Sequence, residues 1–304
     1  MRYAMRQTKY TLLLVLATII WGGALVAQSE GAKSLPPFSF NLIRFSVGAV
    51  SMVPAFIYMD VKEGVLTHFF DKTMVRGGIV CGGFLFAASS FQQIGMATAR
   101  AGTAGFVTSL YIVMVPIFSI LLKKKPQKSL WVAVLMSSIG MYLLCVDGGL
   151  EFETGDLWLL GCAVFYAMHI IAVGHFAPKV DVLKLSCFQF LVCAVLGIVP
   201  MLLEKPALDA VWACRYPIAY TGLLSCGVAY TIQMEAQKRV NATLATVVMS
   251  LESVFTLMFG MIILHERLNL RETVGCIIML AAVFIAEFFN KKRAKKASKE
   301  ISQY

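Results

Sequence analysis

The chain has 304 residues, 59% of them hydrophobic and only 14% charged, with a mean hydropathy of +0.76 and a formal net charge of +10. Soluble domains run at roughly a quarter charged, so an ordinary soluble enzyme is excluded, and so much apolar content excludes a disordered chain. In so apolar a chain the positive balance is read as a topology signal and not as a nucleic-acid surface.

A membrane-spanning helix takes about 20 apolar residues. Apolar runs at 10–28, 38–58, 76–97, 102–122, 129–146, 156–175, 183–203, 217–237, 241–263 and 270–289 predict ten of them. Membrane β-strands are about half as long and alternate polar with apolar, so the runs predict helices. The expected fold class is therefore all-α and integral to the membrane. The first run, Tyr10 to Gln28, is too long for a signal-peptide core and lacks an A-x-A exit, so no cleavable leader is expected. Seven of the eight cysteines (Cys81, Cys145, Cys162, Cys187, Cys193, Cys226 and Cys276) lie in apolar runs without C-x-x-C spacing. They read as small packing residues, with no disulfide framework and no metal site expected.

With the N-terminus in the cytoplasm, 20 Lys and Arg fall on that side and 6 on the other, and Arg44 lies inside a span. This bias predicts cytoplasmic termini and a cell-membrane location. Asp147, Glu151, Glu153 and Asp156 make the loop after span five acidic. The chain also repeats. A shift of 141 lays Ser109-Leu110 on Ser250-Leu251, Ala101 on Ala242, Ala104 on Ala245 and Gln92 on Gln233. A shift of 145 lays Arg44-Phe45 on Gln189-Phe190. Five spans per half is an odd number, so the second half enters from the opposite side, an inverted-topology repeat. The expected organisation is a cytoplasmic tail 1–9, a first five-helix repeat 10–146, an acidic outer loop 147–155, a second repeat 156–289 and a basic tail 290–304. That tail is expected to touch anionic lipid.

Several segments resemble a known family. Trp21-Gly22-Gly23 resembles the W-G-x motif in the first span of the drug/metabolite transporter superfamily, and Arg44 matches its arginine in span two. Ala229-Tyr230-Thr231-Ile232-Gln233 and Ala236-Gln237-Lys238-Arg239-Val240 resemble its span eight and exit. Ser250-Leu251-Glu252 and Leu264-His265-Glu266-Arg267-Leu268 resemble its S-L-E-P and L-G-E-R-L segments, with Ser253 and His265 as departures. In the first half, Lys124-Lys125-Pro126 stands where L-G-E is expected. The resemblance covers about 11–289 as two EamA-type modules. It implies ten helices, alternating access through a central cavity, and export or exchange of small metabolites or amino acids.

Charges inside a bilayer are costly and need an explanation. Glu252 lies 11 residues into span nine, about 17 Å deep. It either faces a cavity, binding a cationic group or a proton, or ties down a neighbouring helix end. Arg44 either attracts a substrate carboxylate, pairs with Glu252, or snorkels to the interface. Glu235 and Glu287 sit within a turn of basic segments and are expected to pair at the interface. Gln92 and Gln233 are repeat-matched amides that suit either a cavity or helix–helix contact. Trp21, Tyr111, Tyr166 and His169 are candidates for an aromatic lining, and Tyr111 falls on Glu252 under the 141 shift. Gly78-x-x-x-Gly82 reads as close helix packing.

The leading expectation is a secondary active transporter exporting small organic metabolites such as amino acids or carboxylates, without a cofactor. Protons are a coupling-ion expectation resting on Glu252. No G-x-x-x-x-G-K-[ST] motif occurs. A broad multidrug exporter is an alternative, lowered by the lack of a carboxylate in span one, since Glu30 lies beyond that run. A membrane enzyme or sensor is the alternative from another class, but no catalytic constellation is evident.

Overall fold

The computed structural model describes residues 2–63, 71–96, 101–123, 126–146, 154–264 and 269–301. Every described element is helical: α1 Arg2–Ala32, α2 Pro37–Glu63, α3 Lys72–Met96, α4 Ala101–Ser109, α5 Tyr111–Leu121, α6 Lys128–Cys145, α7 Thr154–Phe176, α8 Val182–Glu204, α9 Leu208–Ala213, α10 Arg215–Ala219, a π-helical stretch Tyr220–Tyr230, α11 Thr231–Gln237, α12 Ala242–Met249, α13 Glu252–Leu264 and α14 Leu270–Ile301. A turn of 3₁₀ helix at Ala177–Lys179 leads into α8. Residues 147–153 of the expected outer loop and the segment 265–268 lie outside the described residues.

Eight helical segments are long and apolar enough to cross a membrane, and a shorter apolar helix covers Gly105–Leu121. This is a multi-pass membrane protein. Three of the ten expected runs are not uninterrupted α-helices. The fourth divides at Leu110, whose N–H turns back to the Val107 carbonyl at 3.2 Å. The ninth divides at Ser250-Leu251, where Leu251 N–H bonds Val248 O at 3.1 Å. These tight i→i+3 bonds replace the α ladder at both breaks. The eighth run is α10, the π stretch and α11 end to end. Two outer runs are longer than expected. The segment 1–9 is helical from Arg2, and α14 continues beyond 289 to Ile301.

Short connections make consecutive long helices alternate in direction, so the bundle has one end carrying both termini and one terminus-free end. Helix α3 packs on α7 and α8, α2 on α8, α6 on α14, and α1 on α13 and the π stretch. Glycines set the closest approaches. A Cβ on Gly140 of α6 would stand 2.8 Å from the Gly275 carbonyl of α14, and one on Gly275 would stand 2.7 Å from the Gly140 carbonyl. A Cβ on Gly82 of α3 would meet the Gln189 carbonyl of α8 at 2.7 Å, and Gly78 abuts Phe188. The G-x-x-x-G pair is thus an intramolecular contact between α3 and α8. Gly22 of the W-G-G segment lets α13 approach, since a Cβ there would meet the Phe255 backbone at 2.8 Å. All eight cysteines are free.

The terminus-bearing end is filled with apolar side chains. Leu14 and Ala17 of α1, Val115 of α5, Ala236 of α11 and Leu244, Val247 and Val248 of α12 belong to one buried cluster there. Two interfacial contacts accompany it. Glu235 pairs with Lys238 at 2.8 Å, as expected. Glu287 accepts a bond from Thr11 Oγ1 of α1 at 2.9 Å, which joins the first and last helices.

Candidate functional site

All eight candidate residues read from the sequence line one cavity of about 500 Å³. Trp21 comes from α1, Arg44 from α2, Gln92 from α3, Tyr111 from α5, Tyr166 and His169 from α7, Gln233 from α11 and Glu252 from α13. The cavity floor is at mid-bundle. Its walls rise to the terminus-free end, where Glu30, Met96, Gly105, Cys145, Gly260 and Glu272 form the mouth. None of its lining comes from the terminus-bearing ends of the long helices.

Arg44 is buried, with 4% of its surface exposed, so the snorkelling alternative fails. Its guanidinium donates to Gln28 Oε1 of α1 at 2.7 Å and lies over the rings of Phe45 (4.7 Å) and Phe40 (5.8 Å). Amide and π faces spread the charge without cancelling it. No described residue bonds its Nε. Arg44 and Glu252 form no ion pair among the described residues, so the pairing alternative also fails.

Glu252 is the first residue of α13. Its carboxyl makes no hydrogen bond or ion pair among the described residues, which removes the reading of a tie to a neighbouring helix end. The 3₁₀ turn at Ser250-Leu251 sets this carboxylate at the start of α13, with the neighbouring backbone N–H groups of Leu251, Ser253 and Phe255 already bonded to carbonyls of the preceding turn. Tyr111, its match under the 141 shift, is likewise the first residue of α5. Both halves therefore present a polar side chain to the cavity from the start of a broken helix.

An aromatic layer lines the floor. Tyr230 meets Trp21 edge-on at 5.0 Å, His169 at 5.9 Å and Phe190 at 5.7 Å. Tyr111 meets Tyr166 at 6.4 Å. Tyr166 donates its hydroxyl to Gln92 Oε1 at 3.0 Å. His169 Nε2 lies 3.0 Å from Gln189 Oε1. Gln233 donates to Gln237 Oε1 at 3.0 Å, and Gln237 donates in turn to the Ile170 carbonyl at 3.1 Å. Both repeat-matched amides line the cavity; Gln92 also bonds across to α7, whereas the bond of Gln233 stays within α11 and Gln237 makes the contact with α7. The Trp21 indole N–H and Gln233 Oε1 have no partner among the described residues.

The sequence reading missed Gln28, Tyr230 and the mouth carboxylates Glu30 and Glu272. Tyr230 stands inside the A-Y-T-I-Q segment, which was the available signal. Glu30 was placed beyond span one, yet α1 runs to Ala32, and Glu30 faces the cavity while paired with Lys33. Glu272 and Asn269 cap the start of α14 reciprocally, at 2.7 and 2.8 Å. Among the described residues, no three His, Cys, Asp or Glu side chains come together as a metal site.

The model of the EamA-like transporter family matches residues 8–146 and again 153–288. The chain belongs to the EamA-like transporter family. Its two EamA modules each contribute to the cavity, and the family is consistent with the drug/metabolite transporter superfamily. An uncharacterized transporter of Archaeoglobus fulgidus is 28% identical over 273 residues, covering 90% of this chain and 83% of that protein. The uncharacterized transporter YoaV of Bacillus subtilis is 19% identical over 291 residues, covering 94% and 99%. A solved protein structure shares the fold with a TM-score of 0.78 at 20% identity, covering 94% of this chain and 98% of that one. Family and relatives alike point to a transporter.

Proposed function

We propose that this EamA protein is a secondary active exporter of small organic metabolites, with amino acids or carboxylates as the solute class. It works by alternating access of two inverted five-helix repeats, with ten spans, both termini in the cytoplasm of the cell and the cavity mouth facing out. One observation carries the reading: polar and aromatic side chains from both EamA modules converge on one mid-bundle cavity whose lining, among the described residues, reaches the terminus-free end. A solute carrier needs such a site, closed on one side at a time.

The inverted repeat gains support from paired contacts. Phe45 and Phe190, matched by the 145 shift, stack on each other at 5.9 Å with planes 14° apart, as matched residues at a two-fold axis would. Gly140 and Gly275 contact each other reciprocally. Gly82 abuts the Gln189 carbonyl while Gly222 abuts the Arg44 carbonyl, and Arg44 matches Gln189. Gly82 and Gly222 are 140 apart, whereas Gln92 and Gln233 are 141 apart. The π stretch between Gly222 and Gln233 accommodates that one extra residue. Spans four and nine break at matched positions.

Arg44 supports a carboxylate-bearing solute, and the aromatic floor supplies apolar and stacking surface. Glu252 supports proton coupling, since an unpaired carboxyl at the cavity can take up and release a proton. Comparative metabolite profiling of medium from overexpressing and deleted cells identifies the solute. Movement of that solute in proteoliposomes, with and without a pH gradient, then tests the mechanism. If no solute moves, the reading fails. If Glu252→Gln leaves transport and its pH dependence unchanged, the coupling assignment fails.

A further inference from the structure

Helix α2 belongs to the first EamA module and α8 to the second, and they touch along their whole length. At the terminus-free end, Glu204 of α8 accepts from the backbone N–H of Phe38 (3.0 Å) and of Ser39 (2.7 Å) and from the Ser39 hydroxyl (2.6 Å), all at the start of α2. In the middle, Phe45 stacks on Phe190 and Cys187 Sγ lies 3.4 Å from the Ala49 carbonyl. At the terminus-bearing end, Lys184 Nζ of α8 meets Asp60 Oδ1 of α2 at 2.8 Å, with side chains 4% and 17% exposed.

The two end contacts are one contact made twice. Ser39 falls on Lys184 under the 145 shift, and Asp60 and Glu204 both lie within the last four residues of their helices. In each, an acid near the end of one helix grips the first turn of the other. If the two modules tilted as rigid bodies, this seam would have to gape at one end in each state. Yet the cavity stands open at the terminus-free end while both end contacts are made. The seam also lies behind the cavity. No residue of α8 lines the cavity, and α2 contributes Arg44 alone.

We propose that α2 and α8 form a fixed spine, with Ser39, Asp60, Lys184 and Glu204 as the positioning residues that hold it through the transport cycle. The spine keeps Arg44 stationary at the cavity floor. Access changes through the helices around it, chiefly those broken at Leu110 and at Ser250-Leu251. The proposal rests on the alternating-access reading.

Spin-label distances in lipid nanodiscs at acid and alkaline pH test it, in a background with the native thiols replaced. One pair, Leu203 with Ser34, reports the terminus-free end of the seam. A second, Lys62 with Lys179, reports the other end. A third, Glu30 with Glu272, reports the mouth. All but Glu272, which is half-buried, sit on exposed positions, and none is one of the four positioning residues. The spine predicts one narrow distance for each seam pair and two populations for the mouth pair. Bridging the Lys62 and Lys179 positions with a bis-thiol linker should likewise leave solute movement in proteoliposomes intact. Seam distances that split in step with the mouth, or transport lost on bridging, overturn the spine and leave alternating access standing. A mouth pair with one population throughout overturns alternating access, and the spine with it.

Discussion

Truncating Glu204 to alanine removes the acceptor for three hydrogen bonds at once. Ser39 is fully buried and its hydroxyl bond to Glu204 is only 2.6 Å long, so water cannot simply replace the carboxylate there. Losing a cap at a helix N-terminus costs about 1 kcal/mol. The carboxylate's interaction with the helix dipole adds roughly 0.5–1 kcal/mol, and a buried hydroxyl left unpaired about 1 kcal/mol more. Glu204→Ala should therefore destabilise the fold by about 2–3 kcal/mol, or roughly 30- to 150-fold in the folded-to-unfolded ratio. Glu204→Gln keeps one acceptor oxygen but no charge, and should cost about 1 kcal/mol. Ser39→Ala removes only the hydroxyl bond, and combined with Glu204→Ala should cost less than the sum of the two. Unfolding in mixed detergent micelles, followed by tryptophan fluorescence, gives all four values. If Glu204→Ala and Glu204→Gln are equal and within a few tenths of a kcal/mol of the wild type, the carboxylate is not capping α2 and this reasoning is wrong.

Four further outcomes are expected. The Thr73 backbone N–H holds the Asp71 carboxyl below its ordinary value of 3.8, aided by that of Met74. That cap's contribution is complete above the ordinary value and is lost as pH falls through the lowered one. Amide protection at Thr73 and Met74 should drop on strong acidification, and Asp71→Ala should abolish the step. Gly140→Val or Gly275→Val drives a side chain onto the facing carbonyl and should cost about 1–3 kcal/mol or more, read by the same unfolding assay. Arg44→Gln should weaken a carboxylate solute roughly 10- to 100-fold in half-saturation while sparing an analogue without the carboxylate, as measured in proteoliposomes. Tyr166→Phe loses its bond to Gln92 and should cost about 1 kcal/mol in unfolding.

The helical, membrane-spanning character was legible because hydrophobic run length reports directly on the solvent a helix must satisfy. The breaks were not. Run 102–122 carries no charge, and its polar residues, Thr103, Thr108, Ser109 and Ser119, are hydroxyls that are ordinary inside a membrane helix. A break marked only by hydroxyls does not stand out in a count of apolar runs and charges. The site was legible where a residue was costly for its depth: Arg44, Glu252 and the paired glutamines stand out against a background of Leu, Val and Ile. Gln28 was invisible because it sits at the edge of its run, where an amide is ordinary. Lys184 is one of the 20 basic residues counted on the side of the termini, and charge counting alone treats it as a topology signal, yet it is buried against Asp60, a partner 124 residues away in sequence.

The two charges at the cavity floor, Arg44 and Glu252, stand without an ionic partner among the described residues in different local settings, and that difference bears on selectivity. Arg44 is held by the Gln28 amide and two ring faces, none of which carries a full charge. Glu252 stands at the 3₁₀ turn before α13, with no described residue bonded to its carboxyl. The first module breaks at the matching place, but there the cavity receives the phenol of Tyr111. Under the proposed repeat the backbone plan is duplicated while the chemistry is not: at the floor one carboxylate and one guanidinium, from different modules, face one space. Two matched carboxylates would have left a solute free to bind in either of two related orientations. An acid on one side and a base on the other define a single direction across the cavity. A solute carrying both a carboxylate and an ammonium should thus bind better than one carrying either alone. Competition by the corresponding amine and acid analogues in proteoliposomes measures this. Equal competition by all three would mean that Arg44 and Glu252 do not act on the same bound molecule.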